Sequence, residues 1–150
     1  KKRDSETQVQ KIVPGLLVHS DGVNCGILKS EGSGIAFNPG SRHLGLTLKK
    51  IGIDTLDKVI FTHHRREMAD GLEILTDDFS PGIGVPEPGR WLFAQSEKFW
   101  NNPDFRWYAL VDTESHLPYH VTPCEPITVS ETYEDGDSFE WKNWNLFFYP

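Results

Sequence analysis

The stretch from Phe61 to Gly71, reading FTHHRREMADG, constrains this chain more than any other. The β-forming run Asp57-Lys58-Val59-Ile60-Phe61 leads into it, and an apolar-periodic stretch follows. A strand that ends in a turn dense in histidine and carboxylate can aim alternate side chains at one point. Metal ions need that arrangement, because zinc takes about three or four N, S or O donors at short range. The pattern H-x-H-x-D-H does this: its first two histidines serve one ion, and its Asp-His pair serves a second ion or holds a water. On this chain the four positions fall at His63, Arg65, Glu67 and Met68. Taken without its flanks, the cluster also reads as a polar turn in which His63 bonds to backbone.

The flanks give the cluster a setting. Val9 to Val13, Leu16 to Ser20, Val23 to Leu28 and Gly34 to Asn38 alternate or run apolar, with turn residues between them. They predict an antiparallel meander. A helix is expected from His43 to Ile51, capped by Ser41 and ended by Gly52. Asp57 to Phe61 returns to strand, Glu67 to Leu75 reads as helix, Ile83 to Val85 as strand and Glu87 to Trp100 as helix. Ile127 to Val129 is a further strand candidate. Ser138 to Trp141 and Trp144 to Tyr149 close the chain with strongly β-forming residues. Residues 101–126 are irregular, and a segment of that length usually covers or serves a site. The order strands, helix, strand, helix, strand, helix, strands implies an α/β layered fold with helices packed on a mixed sheet.

Charge narrows the partners. With 22 acidic against 15 basic residues the formal net charge is −7, which disfavours nucleic acid. No apolar run nears the roughly 20 residues that span a bilayer, so no membrane partner is expected. The chain begins with Lys1, so processing, including loss of a signal peptide, fits the sequence of a soluble protein. Cys25 and Cys124 lack metal or redox spacing and read as buried thiols, with a single disulfide left open. His19, His43, His116 and His120 read as surface or core-edge residues. Pro118 breaks the i, i+4 pair that His116 and His120 would form on a helix. Asp77-Asp78 reads as an exposed loop, and Trp91, Phe93, Trp100, Trp107 and Tyr108 as packing.

Several segments in order resemble the N-terminal half of a metallo-β-lactamase-fold protein. Val23-Asn24-Cys25-Gly26-Ile27-Leu28 resembles the family's early strand, and Gly34-Ile35-Ala36-Phe37-Asn38-Pro39-Gly40 its "l-l-i-D-x-G" segment. Ile53 to His63 resembles its "i-d-x-V-l-x-T-H" lead-in, and Asp70-Gly71 sits near its glycine after the ligands. Gly136-Asp137 and Trp144 to Pro150 resemble the strands before its next ligand motif. The resemblance covers residues 8–150 and implies the first part of an αββα sandwich. It therefore implies a single metallo-β-lactamase-like domain over residues 1–150, incomplete at its C-terminus.

The resemblance also implies roles. His63 is the retained metal ligand. Glu67, one methylene longer than the family's Asp, is a candidate ligand or catalytic carboxylate. Arg65 and Met68 are ligand positions now substituted: a guanidinium cannot ligate a metal, and a thioether is a poor zinc ligand. Asn38 stands where the family often has Asp. The i, i+2 spacing suggests that Arg65 fills the first ion's space and pairs with Glu67. Two functions compete. One is a hydrolase using zinc or another divalent metal on a small-molecule substrate. The other is a non-catalytic binding or structural domain holding an anion against Arg65 and Arg66. Either is expected to need the remaining half of the domain or a partner chain.

Overall fold

The computed structural model describes residues 8–64, 66–95 and 126–149. Four strands open it: β1 (Gln8–Val13), β2 (Leu16–Asp21), β3 (Val23–Ser30) and β4 (Ser33–Phe37). Each is antiparallel to the one before, as the alternating sequence predicts. Two of the three corners fall where left-handed backbone costs least, at Gly15 (φ 84°) and Gly22 (φ 74°), while the third turns through Glu31 at φ 53°. Gly15 is also crowded: a Cβ there would lie 2.9 Å from Lys29 O and 3.1 Å from Trp144 Cζ2.

After β4 the chain alternates helix and strand: α1 (Leu44–Lys50), β5 (Thr55–Ile60), α2 (Leu72–Phe79), β6 (Gly82–Pro86), α3 (Arg90–Ala94) and β7 (Glu131–Tyr133). Strands β4 to β7 pair in parallel, so the sheet runs β1 to β7 in sequence order, antiparallel first and parallel after. Parallel neighbours cannot be joined by a hairpin, and here helices α1 and α2 make the first two crossovers. Gly52 ends α1 as the sequence predicts. At φ 85° its N–H donates to Lys49 O at 3.1 Å, and the next amide, Ile53, donates to Leu48 O at 2.9 Å. This pair of bonds is the Schellman arrangement that satisfies a helix's last carbonyls.

Side chains alternate across each strand, so one strand feeds two cores. Cys25, Ile27, Ala36, Val59 and Phe61 point into the main core with Leu44, Leu48, Leu72 and Leu75 of the helices. Leu28, Ile35 and Ile60 point to the other face, where Trp141 covers them. That cover is a hairpin, β8 (Ser138–Trp141) and β9 (Trp144–Phe147), which forms a sheet of its own. Polar bonds fix it in place. Trp141 Nε1 donates to Asp57 Oδ2 at 2.7 Å, and Lys58 pairs with Glu131 at 2.7 Å while lying 4.5 Å from the Phe139 ring centre. Tyr133 and Phe148 stack at 4.0 Å beside them. Gly84 makes room for that stack, because a Cβ there would come 2.5 Å from the Tyr133 ring.

Five local expectations need correction. Ser41 does not cap α1: His43 is the N-cap residue, without a side-chain cap bond, and Ser41 is buried in another network. The expected Glu67–Leu75 helix is broken into a 3-10 turn (Arg66–Ala69) and α2, with Gly71 at the break. Asp77 and Asp78 therefore belong to α2, where Asp78 pairs with Lys49 at 2.8 Å. Within Glu87–Trp100, Pro88 and Gly89 restrict the start to a 3-10 turn, α3 runs only from Arg90 to Ala94, and the rest lies outside the described residues. The last parallel strand is Glu131–Tyr133 rather than Ile127–Val129, and Ile127 serves the core instead. Trp91 is exposed and Phe93 buried. Cys25 is a buried free thiol as expected, while Cys124, His116, His120, Trp100, Trp107 and Tyr108 lie outside the described residues.

Trp141 is the keystone of the second face. Trp141→Ala should cost about 3–5 kcal/mol, as removal of large buried aromatics does. Trp141→Phe keeps most of the cover and loses the bond to Asp57, so it should cost about 1.5–3 kcal/mol. Urea denaturation of the two variants against the parent chain measures both.

Candidate functional site

The parallel strands end on one side of the sheet, and β4 is where the pairing changes from antiparallel to parallel. In open α/β sheets, ligand sites gather at the carboxyl ends of strands near such a change. The FTHHRREMADG segment leaves β5 there. Its backbone still belongs to the sheet at Phe61, whose N–H donates to Gly84 O at 2.9 Å. His63 and His64 follow, both half-buried. Arg65 and the side chains of Arg66 and Glu67 lie outside the described residues, and the expected Arg65–Glu67 pair with them.

Asn38 ties the end of β4 to the start of the motif. It adopts φ 52°, a left-handed conformation that Asn tolerates better than most residues. Its N–H donates to Ile60 O at 3.0 Å. Its side-chain carbonyl accepts from Thr62 N at 3.0 Å, and its amide donates to Thr62 Oγ1 at 2.8 Å. Thr62 immediately precedes His63, so these bonds set the position from which that imidazole departs.

The far end of the motif is held by the same turn. Gly71 N–H donates to Pro39 O at 2.8 Å. A Cβ on Gly71 would collide with Ser41 O and lie 2.7 Å from Pro39 O. Only glycine permits this backbone approach. Met68 lies between the two anchors. It is partly buried and packs against the main core, so its thioether is used as an apolar side chain.

Beneath the turn lies a network that the sequence did not reveal. His19 is fully buried, with Nε2 2.9 Å from Ser41 Oγ. Ser41 Oγ donates to Asp21 Oδ2 at 2.7 Å and accepts from His43 N at 3.1 Å, while His43 Nδ1 reaches the same carboxylate oxygen at 2.7 Å. The hydroxyl has one proton and gives it to Asp21, so His19 Nε2 must be the donor to Ser41. His19 Nδ1 is then the bare nitrogen, buried and without a partner. Burial pushes the His19 pKa below its ordinary value, against the opposing pull of Asp21. The bonds from Ser41 and His43 hold Asp21 below the usual carboxylate range. Burial raises the Cys25 thiol, although the amides of Ser41 and Gly40 face its sulfur. The available signal was His19-x-Asp21 on β2, which places His19 on the same face as Leu17.

Donor chemistry tests the expected metal. Among the described residues no three His, Cys, Asp or Glu side chains gather closely enough to hold an ion. The described donors alone do not fit one. His63 would need Glu67 or other groups outside the described residues.

The layered half-sandwich with a His-bearing turn at the end of β5 is the fold of the N-terminal half of a metallo-β-lactamase. No family model matches the chain, and no curated protein matches it by sequence. Solved structures match it in fold. The class B3 di-zinc metallo-β-lactamase LRA-12 from an Alaskan soil metagenome superposes with a TM-score of 0.67 at 13% identity, over 95% of this chain and 51% of that one. GOB-18 from Elizabethkingia meningoseptica gives 0.65 at 14%, over 95% and 50%. A metallo-β-lactamase from Cronobacter sakazakii with a HARLDQ motif gives 0.62 at 15%, over 89% and 49%. The chain spans about half the length of the metallo-β-lactamases it matches. No described helix is long and apolar enough to cross a membrane.

Two substitutions probe the anchors. Asn38→Ala removes both bonds to Thr62 and should cost about 1–3 kcal/mol, whereas Asn38→Asp, which can accept from both Thr62 groups, should cost much less. Gly71→Ala forces the turn apart and should cost about 1–3 kcal/mol or more. Denaturation midpoints, with the His63 imidazole resonances as a local readout, check both.

Proposed function

We propose that this chain, residues 1–150, is the N-terminal part of a larger metallo-β-lactamase-like domain. In this reading it is hydrolase-like in descent, and its ancestral two-ion centre is reduced to at most a single-ion site built on His63. The observation that carries the reading is the fate of the ligand positions. Only His63 is intact, Arg65 stands at the second, and Met68 packs against the core where the motif would place a histidine. The HARLDQ motif of the Cronobacter protein supports it. Set against H-x-H-x-D-H, that motif departs at its third and sixth letters; this chain departs at those two places and also at the fifth, where Glu67 replaces Asp.

Zinc or another divalent ion at His63 would supply Lewis acidity toward an ester, amide, thioester, sulfate or phosphate bond. Glu67 would be the carboxylate available as ligand or proton acceptor. The second reading is a non-catalytic domain that binds a small anion between Arg65 and Arg66. Packing of Met68 as an apolar residue favours it, since that side chain already has a structural use.

Metal content separates the two. The protein purified without chelator should carry about one equivalent of zinc, iron or manganese by inductively coupled plasma mass spectrometry, and His63→Ala should lose it. Two equivalents would overturn the reduced-site reading. None, even after incubation with excess zinc, would give the anion-binding reading the field, with phosphate titration of Arg65→Ala and Arg66→Ala variants as its check.

A further inference from the structure

The His19 network is unused by the reading above, and its geometry points to one role. The turn from Asn38 to Ser41 touches both ends of the motif loop: Asn38 bonds to Thr62, and Pro39 O accepts from Gly71. Ser41 is the side-chain anchor of that turn, held from below by His19 and Asp21 on β2. We propose that His19 is a positioning residue: through Ser41 it seats the Asn38–Ser41 turn against both ends of the His63 loop, and proton uptake by its ring releases the turn. The inference takes the His63 loop to be the site, as above.

The chemistry follows from the hydrogen count. Ser41 Oγ spends its only proton on Asp21, so it can accept from His19 Nε2 but cannot donate to it. A proton added to the ring therefore goes to Nδ1, which is buried and has no partner. An unsatisfied N–H and an added charge in a dry pocket are both costly. The groups facing the ring offer little relief. Val9 and Cys25 lie across from His19 on β1 and β3, and the Cys25 thiol is itself buried. Asp21 on the same strand is already engaged by Ser41 and by His43 from the start of α1. The ring relieves the strain by leaving its pocket, and Ser41 then loses the donor that holds it. The depressed His19 pKa gives the sign. The open form takes up a proton near the ordinary value of about 6.5, while the closed form resists it. Closure is therefore fully favoured above that pH and is lost progressively as pH falls toward the closed-state pKa.

Amide hydrogen exchange on the full chain tests this between about pH 7.5 and 5. Protection factors of Thr62 and Gly71 should fall about tenfold per pH unit below 6.5, while that of Ile27 in the central sheet holds. His19→Gln places an uncharged N–H where Nε2 stands, so it should keep both amides protected and flatten their pH dependence. If that variant does not fold, Ser41→Ala carries the test, with low and pH-independent protection expected at both amides. Parent amides that stay protected to pH 5 would overturn the proposal. So would an acid-dependent fall that survives in His19→Gln or Ser41→Ala. The readout needs neither metal nor substrate, so its failure and that of the single-ion reading are separate results.

Discussion

A sheet buried on both faces is the constraint that orders the rest of this structure. Strands β3, β4 and β5 carry apolar side chains in both directions, toward the helices and toward the hairpin. Such strands are stable only if two layers cover them, which is why parallel sheets occur with both faces packed. The helices supply one layer through short crossovers. The hairpin supplies part of the other, and its charged and aromatic bonds to Asp57, Lys58 and Tyr133 fix where it begins. Among the described residues, Phe147 and Tyr149 of this part are 61% and 78% exposed.

The site depends on the sheet through one short turn. A motif loop of about ten residues has many conformations to lose, and each ordered residue costs about 1–2 kcal/mol in backbone entropy. Fixing both ends to the same rigid segment limits that freedom with few contacts. Asn38 serves the first end and Pro39 the second, and Gly71 allows the backbones to meet. Met68 anchors the middle by apolar packing. A metal ion commonly supplies such an internal anchor. Here a thioether packed on the core performs part of the same ordering, without charge.

The architecture was legible where the signal is periodic. The meander, its glycine corners, the Schellman end of α1 and the alternation of helices and strands all follow from patterns of period 2 or about 3.6 with Gly at the breaks. The misses share a cause. Ser41 satisfies the rules for an N-cap, but buried His19 and half-buried Asp21 compete for its hydroxyl and win. Apolar spacing predicts one helix through Gly71, and the close approach of Ser41 O breaks it. Ile127 has strand-like neighbours, yet its place is the core below Phe93, whose carbonyl accepts from its N–H at 3.1 Å. In each case a contact distant in sequence outweighs a local preference. For the site, the apolar spacing already set Met68 beside Leu72 and Leu75, and Met68 does pack against the main core.

What the substitutions do to the chemistry is decided by the difference between a guanidinium and a metal ion. Both attract anions. A guanidinium binds oxyanions with a planar fork of N–H donors and stays protonated at any physiological pH. It does not lower the pKa of a water to near neutrality, which is the service a catalytic ion performs. In the proposed reading, an arginine in place of a ligand would therefore keep the capacity to bind an anion while removing one means of generating a nucleophile. The proposed hydrolysis would depend on an ion held by His63 with other donors, and the proposed anion binding would not. The Asn38–Ser41 turn, bonded to both ends of the loop, would serve either one.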